Sequence, residues 1–310
     1  MEKCYFTSHE DPSVSTLSNH AQKGKNAMTN VDQFKIFKGE RALFKAEHRE
    51  IRDSIFEDGE SPLKESHDIA LYNSMFKWKY PLWYAQNIHL EHCSLFEMAR
   101  AGIWYTQNID VHDTLIEAPK NFRRCRHVLL DHVSFSNAAE TLWNCSDVEM
   151  RHVSARGTYF AMGSENMVID GLELVGDYSF DGCKNVQISN ARLLSKDAFW
   201  NSENITVTHA FISGEYLGWN AKNLTLIDCT IESLQGMCYI DGLTMKNCKL
   251  LNTTLAFEYS SVDADISSPI DSVLNPASGI IRADSIDELI MERDKIDPSK
   301  TKIICRNTAT

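Results

Sequence analysis

Asp177, Lys196 and Glu215 stand at intervals of nineteen residues, an acid, a base and an acid. Asp181 lies four residues after the first, and Asp197 directly follows the lysine. Carboxyl groups grouped in this way suit general acid and base work: one protonates a leaving oxygen while another activates water, and a cation between them tunes both. If nineteen residues make one turn of a coil, Asp177 and Glu215 lie two turns apart, ~9–10 Å by strand spacing. That is near the upper end of the roughly 6.5–9.5 Å that separates the carboxyls of inverting glycosidases. Alternatively Lys196 is the base of a lyase reaction on a uronic acid, with Arg100, Arg123 or Arg124 holding carboxylates. The competing reading is structural. Alternating charges on stacked turns neutralise one another, as Glu60 and Lys79 do elsewhere in the same column.

A second set of residues keeps the same interval. Five of the six tryptophans, Trp83, Trp104, Trp143, Trp200 and Trp219, share one column with Arg123. An outward aromatic row is costly unless it stacks, packs or binds. Aromatic faces meet the apolar faces of sugar rings while nearby polar groups orient them. The expected ligand-binding face is therefore Lys79, Trp83, Arg100, Trp104, Arg123, Trp143, Trp200 and Trp219, and the expected ligand an oligosaccharide. The alternative is an aromatic ladder that stabilises the sheet, or a patch covered by a tail or by a second subunit in a homo-oligomer.

The elements that position these columns follow from the repeat itself. Pairs of the form apolar-x-apolar begin at Ile69, Ile88, Ile109, Val128, Val148, Met167, Val186, Ile205, Leu224, Leu243 and Val262, with a weaker copy at Arg49-x-Ile51. The spacings are 19, 21, 19 and 20, then 19 six times. Short alternating segments of this kind are strands rather than helices. From Ile69 to Leu243 the residue before each pair is Asn, Asp, His or Gly, and so is the residue four places after its start, the types that tolerate a left-handed corner. Three short strands and three corners per turn define an all-β, single-stranded parallel β-helix. The predicted coil has eleven to twelve turns over residues 32–270. Residues 1–31 read as a flexible leader or cap, and residues 271–310 as a β-rich C-terminal cap. Turn length hardly varies, so no long corner loop builds a deep cleft, which favours binding or scaffolding over hydrolysis.

Composition excludes several classes. The net charge of −12 disfavours nucleic acid. No apolar run approaches the ~18 residues of a membrane span, so no membrane association is expected. Nine cysteines without a C-x-x-C pair read as reduced thiols, and with no signal-peptide pattern at the N-terminus they point to the cytoplasm. His132 and His152 share a corner column without a carboxylate or thiol partner, so no metal is expected there. No phosphate loop or nucleotide fingerprint is present, and no cofactor is expected.

The stretches KGERALF (38–44), DGESPLKES (58–66), FKWKYPLWY (76–84), ARAGIWYT (99–106), IEAPKNFRR (116–124), ETLWN (140–144), YSFDGCKN (178–185), LLSKDAFWNSEN (193–204) and GEYLGWNAKN (214–223) resemble a bacterial family, domain-of-unknown-function family 3737. That family is grouped with the pectin-lyase-like right-handed β-helices. The resemblance spans nearly all of residues 34–300. It implies the fold, a right-handed coil and a bacterial source, and carries no activity with it. The wider group holds polysaccharide lyases, glycoside hydrolases and non-enzymatic members, so function rests on the site. The sequence expectation is recognition, with cleavage as its extension, of an oligosaccharide along the Trp83–Trp219 face; an enzyme would be a glycoside hydrolase or polysaccharide lyase. The alternative is a non-catalytic scaffold whose aromatic face forms a subunit interface.

Overall fold

Leu224 and Leu226 point inward from Lys222–Ile227 while their neighbours stay at the surface, and this alternation recurs in Glu203–Thr208 and Lys184–Ser189. Each such strand pairs in parallel with the same strand one turn away, Val186 with Ile205 and Ile205 with Leu224. A computed structural model describes residues 30–307 as one continuous coil of this kind, almost wholly β. A shorter strand follows each long one, as in Arg192–Leu194 and Phe211–Ser213, and pairs in the same way. In Ser146–Arg156 and Glu165–Val175 the two merge into single strands of 11 residues.

The ladder holds 15 turns among the described residues, more than the eleven or twelve expected. At its start, Asn30 pairs with Arg49 although Asn30-x-Asp32 lacks the apolar pair. At its end, Val262 pairs with Gly279 and Gly279 with Thr301, intervals of 17 and 22. A fixed interval of nineteen cannot register those turns. Residues 271–307, within the segment read as a cap, thus supply strands Ser278–Ala283 and Thr301–Cys305 to the main ladder. Most of the expected leader, residues 1–29, lies outside the described residues.

The third side of the coil differs from the sequence reading. It forms paired strands at Leu82–Trp83 and Ile103–Trp104, continued by single bridges from Trp104 to Arg123 and from Arg123 to Trp143, and again near the C-terminal end at Ile270–Leu274 and Ile286–Ile290, which a bridge from Val273 joins to Ala256. Elsewhere it is a run of left-handed residues at every second position: Asp197 (φ 58), Phe199 (φ 61) and Asn201 (φ 53) in one turn. The backbone groups stay satisfied because the N–H groups alternate between neighbours. Asp197 donates to the Glu215 carbonyl in the next turn (2.9 Å), Phe199 to Ser179 in the previous turn (2.9 Å) and Asn201 to Trp219 in the next turn (3.0 Å). This alternation explains how an aromatic residue such as Phe199 holds a backbone conformation that costs ~1–2 kcal/mol outside glycine.

Corners are stapled by side-chain amides. Asn223 donates to Asn204, Asn204 to Asn185, Asn185 to Asn166 and Asn166 to Asp147, at 2.9 to 3.3 Å. The small residue at each tight approach has a packing reason: a Cβ on Gly176 would lie 1.9 Å from the Gly157 carbonyl oxygen. Inside, Phe122, Phe160, Phe180 and Phe199 are fully buried in successive or nearby turns. Seven cysteines are buried as free thiols, and Cys183 donates its Sγ–H to the Ala161 carbonyl at 2.8 Å. Burial pushes its pKa up to about 12, so it packs as a small apolar group. No helix of the described residues is long and apolar enough to cross a membrane.

Candidate functional site

The tryptophan column lies along the edge of the third side, and its members are half-buried rather than free. Four of the indoles lie back against the coil and donate Nε1–H to a carbonyl of the following turn. Trp83 bonds Ala101 (2.6 Å), Trp104 bonds Lys120 (2.8 Å), Trp143 bonds Tyr159 (2.7 Å) and Trp200 bonds Tyr216 (2.8 Å). The rings also contact one another in series. Trp83 stacks on Trp104 at 5.1 Å and 7°. The Arg123 guanidinium lies 4.6 Å from the centroids of both Trp104 and Trp143. From Trp143 the series passes to Tyr159, Tyr178, Trp200, Trp219, Tyr239 and Tyr259.

The column is not uniform. Between Trp83 and Trp143 the planar groups face each other and occupy one another's faces. Below, Met162 and Asp181 interrupt the column. Tyr178 meets Trp200 edge-on (5.9 Å, 87°), and Trp200 and Trp219 are 6.2 Å apart at 35°. In this lower part the column rings meet edge-on or tilted rather than face to face.

The acidic and basic candidates gather beside the lower part. Hydrogen bonds from Tyr178 N–H to the Lys196 carbonyl and from Asp197 N–H to the Glu215 carbonyl place Asp177, Lys196 and Glu215 on adjacent turns. Lys196 and Glu215 form an ion pair of 3.1 Å with both side chains nearly half exposed, and the Lys196 ammonium sits 5.6 Å from the Tyr216 ring centre. This contact holds the lysine charged and raises its pKa, chiefly through the bond to Glu215. Asp177 is exposed. Asp181 accepts from Asn201 (3.0 Å), which accepts from Asn220 (2.9 Å), so it is the foot of an amide ladder.

Asp197 differs from all of these. It is 1% exposed, and its Oδ1 has no hydrogen-bond partner among the described residues. Burial pushes its carboxyl above the usual aspartate pKa. The charges of Asp177 and Glu215 add to the shift, and Lys196 and the Tyr178 hydroxyl oppose it. The Tyr178 hydroxyl is in turn pushed up, first by the charge of Asp197. A buried carboxyl held toward its neutral form, beside a tyrosine hydroxyl that reaches the surface, is a group able to store and pass a proton. Sequence reasoning reached Asp197 only through its neighbour and missed Tyr178. The available signal was Tyr159, Tyr178 and Tyr216 at multiples of the repeat in the column that holds Asp197.

The remaining candidates lie apart from this group. Lys79 pairs with Glu60 at 3.3 Å, Arg100 is exposed, and Arg123 pairs with Glu140 at 3.2 Å while sandwiched by indoles. Two surface depressions, of about 490 and 620 Å³, also lie elsewhere. One is lined by Arg124, Arg126, Asn144 and Glu165, the other by residues 293–299. Neither depression is lined by Asp197, Tyr178 or Trp200.

The sequence matches the family described as "Protein of unknown function (DUF3737)" over residues 30–304. The chain belongs to this family. No curated protein matches it in sequence. Among solved structures, this family member is similar to the A-module of Azotobacter vinelandii mannuronan C-5 epimerase, with 8% identity, 88% of each chain covered and a TM-score of 0.31. It is also similar to a tailspike protein of E. coli bacteriophage HK620, solved with a pentasaccharide (8% identity, 89% of this chain and 70% of that one, TM-score 0.37). A third is the tailspike gp49 of Acinetobacter baumannii bacteriophage Fri1, a capsular polysaccharide depolymerase (7% identity, 90% and 63% covered, TM-score 0.36). Likeness at this level leaves the site to be read from its own residues.

Proposed function

We propose that this protein recognises an oligosaccharide laid along the open edge of the coil, over Asp177, Tyr178, Lys196, Trp200, Glu215 and Trp219. The observation that carries this reading is Asp197, a buried carboxyl with one oxygen unpartnered among the described residues, set beside the part of the aromatic column whose rings meet edge-on or tilted. Aromatic faces take the apolar faces of sugars, and the exposed Asp177 and the Lys196–Glu215 pair supply hydrogen bonds to hydroxyls. A row of like positions repeated over adjacent turns suits a polymer better than a single small molecule. Cleavage is the extension of this reading: the Tyr178–Asp197 pair protonates a leaving oxygen, and Asp177 or Glu215 activates water from the solvent side.

Tryptophan fluorescence titrated with neutral and acidic oligosaccharides tests the reading. Saturable quenching that is lost in Trp200→Ala and kept in Trp104→Ala supports it. Absence of any response, or quenching indifferent to Trp200, removes the proposed site. Product analysis with Asp197→Asn then separates cleavage from binding. A second reading, an interface with another chain, is favoured by the exposed Tyr84, Tyr159 and Tyr239 along the same edge. Sedimentation of the native protein and of a Tyr159→Asp variant decides it: a dimer dissolved by the change would assign the edge to an interface.

A further inference from the structure

Near the N-terminal end of the coil, strands Glu47–Arg52 and His67–Tyr72 pair with Glu47 opposite His67, which brings His48 beside Asp68. Both are left-handed corner residues, with φ of 50 and 55. In later turns this corner column is a ladder of amides. Here the amide of Asn87 still donates to Asp68 Oδ1 (2.8 Å), but on its other side Asp68 faces imidazoles. His48 Nδ1 is 3.1 Å from Asp68 Oδ2, and His67 Nδ1 is 3.2 Å from the same oxygen. One donor atom from each of the three residues lies within 4.8 Å of the others. The opposite ring nitrogen, His67 Nε2, meets Glu47 Oε1 at 3.0 Å. The side chains of His48, His67 and Asp68 are 33%, 38% and 16% exposed, open enough for an ion to enter.

Two imidazole nitrogens and a carboxylate oxygen at these separations fit around one ion. Bonds of about 2.0–2.2 Å in a tetrahedron place neighbouring donors roughly 3.3 Å apart. A second carboxylate on the far nitrogen of a ligating histidine is the arrangement that fixes its tautomer and orientation. His132 and His152 provide an internal contrast. Their rings are 4.8 Å apart and Asp131 lies 2.7 Å from His132 Nδ1, yet the trio at His48 is the group that brings three donors together among the described residues.

We propose that His48, His67 and Asp68 bind a divalent first-row transition ion of the zinc type, with Glu47 orienting His67. Imidazole with carboxylate suits zinc, cobalt and nickel better than calcium or magnesium. Because the donors come from two successive turns, the ion also staples the start of the ladder.

The test uses the full chain, stripped with a chelator and titrated with Co²⁺ as a visible probe, followed by displacement with Zn²⁺. The expected result is one Co²⁺ per chain with a ligand-field spectrum, lost on adding Zn²⁺. Affinity should fall at least tenfold in His67→Gln and in His48→Gln, and about tenfold in Glu47→Gln. Zn²⁺ should raise the melting temperature of the wild type and not of His67→Gln. His152→Ala should bind as the wild type does. No cobalt spectrum in the wild type would overturn the proposal, as would binding unchanged in both histidine variants or lost equally in His152→Ala. The wild-type titration stands even if a variant fails to fold.

Discussion

The aromatic edge has two stretches built from the same residue types with opposite consequences. From Trp83 to Trp143, four planar groups occupy one column in four successive turns, and each uses its neighbours' faces. From Tyr178 to Trp219, the column has lost its continuity at Met162 and Asp181, and the rings meet edge-on or tilted. The turn-to-turn spacing of the coil is close to the stacking distance of flat groups, so an unbroken planar column seals itself. A break of two turns leaves the rings beyond it edge-on or tilted to one another. The first stretch stabilises the rod, and the second is the one to which the proposed ligand is assigned.

The largest expected effect breaks the sealed stretch. Trp104→Ala removes the ring shared by Trp83 and Arg123 and should cost about 3 kcal/mol, measured by denaturant unfolding, with oligosaccharide binding intact. Trp200→Ala should cost less and abolish binding; equal losses of stability at the two positions would erase the contrast. Arg123→Lys keeps the charge but not the plane between Trp104 and Trp143, and should lose about 1–2 kcal/mol. A variant as stable as the wild type would show that charge alone suffices.

Asp197→Asn probes the open stretch. The Asp197 carboxyl binds its proton more tightly in the folded chain than in the unfolded one, since burial raises its pKa. Its contribution to stability is complete below the unfolded aspartate pKa of ~3.9 and is lost as pH rises through the folded value. The wild type should therefore lose stability across that window, and the asparagine variant should lose less, so that at pH 7 it is equal to or more stable than the wild type. A variant that is less stable at pH 7, with an unchanged pH slope, would make Asp197 an ordinary structural acid. The smallest effect belongs to Glu215→Gln. The half-exposed pair with Lys196 contributes about 0.5 kcal/mol or less, so its melting temperature should barely move. If cleavage occurs, the same change, like Asp177→Asn, should abolish it.

Much of this was legible in the residues because a coil of constant turn length maps sequence interval directly onto contact. Asn204 donates to Asn185 and Ile205 pairs with Leu224 as the nineteen-residue columns require. The regular interior was read from the same columns, and it failed where turns change length, at Gly279 and Thr301. The site was less legible. Lys196 and Glu215 were placed on adjacent turns by spacing, but Asp181 gave no sign of serving an amide ladder. The His48 group was missed because the histidine columns considered were at the other corner, while this trio spans two neighbouring positions in the weakest copies of the repeat.

The sequence by itself determined the strands, the corners, the stacking of like positions and the identity of the outward edge, all of which depend on interval and residue type. Tertiary structure decided what those intervals do not encode: the backbone of the third side, the direction of each ring plane and the burial of each charge. The reason is that ring orientation and desolvation depend on both neighbouring turns at once. Asp197 stands between Tyr178 and Tyr216 in its column and is buried, whereas Asp177, one turn before Lys196, remains in water.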